Sequence, residues 1–126
     1  MKLVATAAAL FALFLVPGQV ASASSERLAN YFTCSLKDGK TRADLMAFKA
    51  SYEEAVAEAG LEGYELRLQF PLYWGERKDG VFVWEGSWKD YAAMDRISKW
   101  FRASEWPARF QQTMTCGESS LWQIVD

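Results

Sequence analysis

Residues 64–70 read YELRLQF and residues 81–88 read VFVWEGSW, with the GERKDG loop of residues 75–80 between them. In the first stretch Tyr64, Leu66, Leu68 and Phe70 alternate with Glu65, Arg67 and Gln69, the period-two pattern of a half-buried strand. Pro71 cannot donate to a β-ladder, which predicts an edge strand or a bulge there. The second stretch is apolar on both faces, with Val81 and Val83 on one and Phe82, Trp84 and Trp88 on the other. The two form a predicted hairpin, which needs helices to bury at least one of its faces.

The flanking sequence supplies them. Upstream, Thr41 is a helix N-cap with Asp44 completing a capping-box-like pair, and Leu45, Phe48, Tyr52, Ala55, Val56 and Ala59 form one apolar stripe that stops at Gly60. Ahead of it, Phe32, Cys34 and Leu36 alternate with Tyr31, Thr33 and Ser35, so residues 31–36 read as a strand leading into the Lys37–Lys40 turn. Downstream, a helix opens near Asp90 with Tyr91, Met94, Ile97, Trp100 and Phe101 on its buried side. It breaks near Ser104 and resumes at Trp106-Pro107, carrying Phe110 and Met114, because proline suits a first turn. Leu121 to Val125 reads as the last strand. The order βαββαβ predicts an α+β, ferredoxin-like domain: a four-stranded antiparallel sheet in the order 4-1-3-2, with two helices on one face.

The N-terminus has a different character. Met1 and Lys2 precede the apolar run Leu3 to Val16, then Pro17 and Gly18, then Ala21-Ser22-Ala23, which predicts a signal peptide over residues 1–23 cleaved between Ala23 and Ser24. The apolar run is shorter than the ~20 residues that a membrane span needs. The expectation is therefore an exported protein, periplasmic or secreted, with no stable membrane insertion after cleavage. A short lead-in would cover residues 24–30 and a single domain residues 31–126. Removing 23 of 126 residues leaves 103, enough for one core. Losing Lys2 leaves 13 basic against 16 acidic residues, a net charge of −3 without a basic stripe, so nucleic acid is not an expected partner.

The chain contains no histidine, which excludes Ser-His-Asp and Cys-His catalysis, imidazole-bound haem and histidine proton shuttles. Two cysteines alone cannot form a structural zinc site, so neither a metal nor a cofactor is expected. In the 4-1-3-2 order the first and last strands are antiparallel neighbours, which brings Cys34 near Cys116. Export then favours a Cys34–Cys116 disulfide. Gly39-Lys40-Thr41 sits in a strand-turn-helix context like a phosphate loop, but position 34, where the first glycine belongs, is Cys34. Of the six tryptophans, Trp100, Trp106 and Trp122 are expected in the core, while Tyr73, Trp74, Trp84 and Trp88 cluster around the hairpin.

Two helices cover one sheet face, so the doubly apolar strands predict a cover for the other, most simply a second copy of the chain. The run Trp88-Lys-Asp-Tyr-Ala-Ala-Met94 resembles the W-x-[DS]-x-x-A-[LM] strand-to-helix junction of the dimeric α/β-barrel superfamily, which includes antibiotic-biosynthesis monooxygenases and NIPSNAP-like proteins. The chain also resembles small exported bacterial proteins of unknown function. The superfamily resemblance implies homodimers whose sheets face each other around a pocket, and some members act on aromatic or polyketide substrates without a cofactor. Haem-binding members depend on histidine, which this chain lacks.

Parity assigns Tyr31, Thr33, Ser35, Arg67 and Gln69 to the face opposite the helices, joined by Trp84 and Trp88 if their strand turns that way, as a candidate small-molecule pocket. Three readings compete. One is a noncatalytic binder of a small apolar or aromatic ligand. Another is a cofactor-independent oxygenase or isomerase, with Arg67 stabilising a substrate anion and Tyr31 or Glu85 handling protons. The third is a structural interaction protein.

Overall fold

The computed structural model describes residues 26–72 and 80–125, so the expected signal peptide, its Ala23/Ser24 cleavage site, Tyr73 and Trp74 lie outside the described residues. The elements run β1 (Arg27–Leu36), α1 (Arg42–Glu58), β2 (Tyr64–Gln69), β3 (Val81–Trp88), α2 (Tyr91–Ala103), α3 (Trp106–Thr113) and β4 (Met114–Ile124). The sheet order is β2-β3-β1-β4, the expected 4-1-3-2 seen from the other edge, and every pairing is antiparallel. The fold is therefore α+β and ferredoxin-like, with α3 as the resumed part of the second helical segment.

Local chemistry explains where α1 begins and ends. The Thr41 hydroxyl accepts from the Asp44 N–H at 3.2 Å, while the Asp44 carboxylate accepts from the Thr41 N–H at 2.7 Å and its hydroxyl at 2.9 Å. This reciprocal box satisfies donors that a helix start leaves unpaired. Past the last turn, Gly60 adopts φ +68°, a left-handed conformation that costs glycine no side-chain clash. Helix α2 is capped by Asp90, whose Oδ1 accepts from the Ala93 N–H at 2.7 Å.

Phe32, Cys34 and Leu36 of β1, Leu66 of β2, and Phe82 and Trp84 of β3 share the helix-facing side of the sheet. Against them pack Leu45, Phe48, Tyr52 and Val56 from α1 and Trp106 from α3. Several aromatic rings meet edge to face: Tyr52 lies 5.1 Å from Trp106 and 5.9 Å from Trp84 between centroids, and Phe48 lies 5.4 Å from Trp106. Such pairs add about 0.5–1.5 kcal/mol each beyond the area they bury. Cys34 stands directly opposite Cys116 in the β1–β4 ladder, and the two are disulfide-bonded.

Several boundaries and orientations differ from the sequence expectation. Strand β1 starts at Arg27, ahead of Tyr31, and buries Leu28 and Ala29, so most of the supposed lead-in belongs to the sheet. Strand β4 starts at Met114, opposite Leu36, so Met114 ends the helix and Cys116 lies within the strand rather than ahead of it. Tyr91 is exposed because it sits two residues, or about 200° of helix, from the buried Ala93. Trp122 is 59% exposed, contrary to a core placement. Its strand forms a sheet edge, and its side pairs across to Ala29 on the face away from the helices.

Candidate functional site

A cavity of about 400 Å³ lies between the helix-facing side of the sheet and helices α2 and α3. Its sheet wall includes a position without a side chain. Gly86 stands in the middle of β3 between Trp84 and Trp88, opposite Asn30 of β1 and Leu66 of β2. A Cβ at Gly86 would come within 3.2 Å of the Tyr64 ring and 3.3 Å of its hydroxyl. Glycine within a strand commonly marks such a close approach. Tyr52 and Tyr64 wall the space, and Ile97, Phe101 and Phe110 close it from the helices. Ser98 and Arg102 of α2 and Gln111 of α3 also reach its lining.

Two residues of this lining, Asn30 and Trp88, each carry a buried side-chain atom without a hydrogen-bond partner among the described residues, Oδ1 and Nε1. One accepts and the other donates. The two phenols keep their protons well beyond neutrality. Burial pushes Tyr52 up to about 12, against a smaller lowering by its contact with Tyr64. Burial, with the nearby Tyr52 adding to it, drives Tyr64 well above the usual phenol value. Both hydroxyls are therefore protonated at neutral pH.

The residues singled out from sequence divide between the two faces. Trp84 and Trp88 line the cavity, whereas Tyr31, Thr33, Ser35, Arg67 and Gln69 lie on the side of the sheet away from the helices. The expected joint pocket of all seven is not formed, because β3 turns its tryptophans toward the helices and Val81, Val83, Glu85 and Ser87 the other way. On that far side Glu85 is only 7% exposed. It accepts from Gln69 Nε2 at 2.5 Å and lies 3.9 Å from Arg67 Nη1, while Arg67 Nη2 sits 3.4 Å from Glu65. Arg67 thus faces two carboxylates of its own chain.

Asn30, Tyr52, Tyr64, Gly86, Ser98, Arg102 and Gln111 were not among the sequence candidates. Asn30 precedes the alternation of Tyr31 to Leu36, so no local pattern marks its parity in the strand. The legible signal was Gly86 itself, a side-chain-free position between two tryptophans.

Searches for relatives reach the chain through structure only: no protein-family model matches it, and no curated protein matches it in sequence. Among solved structures it is similar to SnoaB, a cofactor-independent oxygenase from Streptomyces nogalater. The TM-score is 0.54 at 17% identity, covering 80% of this chain and 95% of that one. It is also similar to the hydroxynitrile lyase from Passiflora edulis, with TM-score 0.54 at 14% identity, covering 81% and 96%. The chain shares the α+β, ferredoxin-like fold of these two proteins.

Within this fold the Trp88–Met94 junction has a physical reading. Trp88 ends β3 in the cavity wall, Asp90 caps α2, and Ala93 is fully buried where a larger side chain would hold the helix off the sheet. The described residues contain no group of three or more histidine, cysteine, aspartate or glutamate side chains placed to hold a metal ion. No helix among them is long and apolar enough to cross a membrane.

Proposed function

We propose that this chain is exported and acts as a homodimer that binds a small aromatic ligand in the cavity between the sheet and helices α2 and α3. The observation that carries the reading is one aromatic-walled space whose lining includes Asn30 and Trp88, each with a buried side-chain atom, Oδ1 and Nε1, that lacks a hydrogen-bond partner among the described residues. A buried polar group without a partner costs about 1–3 kcal/mol, and a ligand offering one donor and one acceptor recovers that cost on binding. Mostly apolar walls with a few convergent polar groups are the usual composition of small-molecule sites.

Titration with bicyclic phenols and their ethers, followed by tryptophan quenching, tests this. Trp88→Phe keeps an aromatic ring but removes the donor. Affinity is expected to fall roughly five-fold, about 1 kcal/mol, without loss of the folded circular dichroism spectrum. Unchanged affinity in both Trp88→Phe and Asn30→Ala would overturn the assignment.

The dimer reading is supported by Val81, Val83, Tyr31 and Trp122 on the sheet face that carries no helix. Sedimentation velocity at micromolar concentration should give a dimer, and a monomer there would refute it. Export is supported by the N-terminal sequence and by the disulfide, and a mature mass beginning at Ser24 checks it.

A second reading, turnover of the bound aromatic without a cofactor, draws on the fold shared with an enzyme described as a cofactor-independent oxygenase. The same fold also carries a hydroxynitrile lyase, so architecture alone does not choose a reaction. Oxygen uptake with a bound phenol in chelator-treated buffer favours turnover. Binding without consumption favours the first reading.

A further inference from the structure

Resting on that binding reading, we propose that the cavity selects aromatic anions, with Arg102 at its mouth as the group that receives the negative charge. Ser98 and Arg102 are four residues apart on α2 and so share a face, and Gln111 joins them from α3. All three side chains donate hydrogen bonds, and the cavity lining contains Arg102 but no carboxylate. Among the described residues the ion pairs are Lys49–Glu53, Arg67 with Glu65 and Glu85, Lys99–Asp95 and Arg109–Glu105, and none engages Arg102.

The rest of the lining asks for something different, since it is mostly aromatic rings and its other polar side chains are neutral. The ligand this describes is amphipathic: a planar body among Tyr64, Trp84 and Trp88, and a carboxylate, sulfonate or phenolate toward Arg102. An anion held there stays partly hydrated because Arg102 is exposed, so its desolvation is modest while the charge-assisted hydrogen bond remains. Arg102 also lies in the last turn of α2, where a cation complements the helix carbonyls. That role alone would leave ligand charge irrelevant.

Two fluorescent probes separate these cases. 1-Anilinonaphthalene-8-sulfonate and N-phenyl-1-naphthylamine share one ring system and differ in the sulfonate. Both are titrated into the disulfide-bonded protein, its Arg102→Ala and Arg102→Lys variants, and Ser98→Trp, which fills the mouth. Arg102→Ala should lower the sulfonate-to-neutral affinity ratio about ten-fold, with the neutral probe's own affinity unchanged, and Arg102→Lys should retain part of the ratio. Ser98→Trp should weaken both probes. If the ratio is the same in wild type and Arg102→Ala while Ser98→Trp still weakens both, anion selection is overturned and the cavity reading stands. If Ser98→Trp weakens neither probe, or if neither binds the wild type, the cavity reading falls and this inference with it.

Discussion

Tyr52 and Tyr64 show how single side chains can serve packing and chemistry together. Their rings meet at 6.0 Å, and burial holds both hydroxyls protonated far above the ordinary phenol value. In the unfolded chain both ionise near pH 10, whereas in the folded chain Tyr52 waits until about 12 and Tyr64 beyond its usual range. Above pH 10 the unfolded state therefore binds fewer protons, and stability falls as pH rises. The contribution is intact below pH 10 and is lost from there toward 12, with Tyr52 alone accounting for about 2–3 kcal/mol. Urea midpoints at pH 9 and pH 11.5 measure the decline, and Tyr52→Phe should flatten part of it. At this scale the site was only partly legible. Spacing places Tyr52 on an apolar stripe and Tyr64 in a strand, where the structure has them, but it does not reveal that the Tyr64 ring closes over Gly86, where a Cβ would meet it at 3.2 Å.

Among the elements, those defined by neighbouring residues were the easiest to read. The α1 cap is a local device of Thr41 and Asp44, and it forms as expected. Thr41→Ala removes the hydroxyl acceptor and should cost about 1 kcal/mol in chemical denaturation. The Thr41 N–H and hydroxyl hold the Asp44 carboxyl below its ordinary value, so the cap's benefit is present above the unfolded pKa of 3.8 and fades as the solution is acidified through the lower folded value. Strand ends were harder. Neither Arg27 at the start of β1 nor Met114 at the start of β4 carries a local signal, because each strand is extended by its ladder partners rather than by its own alternation. Leu28 pairs with Trp88 and Gln123, and Met114 with Leu36. Missing the early start of β1 also hid Asn30.

The whole molecule depends on contacts between the chain's two ends. Reducing the Cys34–Cys116 bond opens a closure spanning 82 residues and should lower stability by about 2–5 kcal/mol, seen as a fall in melting temperature with reductant and in the Cys34→Ala/Cys116→Ala variant. An unchanged melting temperature in both would contradict it. The pairing was predictable because topology made β1 and β4 neighbours. By itself the sequence determined the element order, the sheet order, the α1 cap and the cysteine partners, since each follows from periodicity, capping chemistry or connectivity. Only the tertiary structure decided that Trp84 and Trp88 face the helices and that the cavity lies there, away from Arg67. The physical reason is that β3 is apolar on both faces. Its hydrophobic pattern is satisfied either way, and only its packing against the rings of α1 and α3 selects the side on which its large side chains lie.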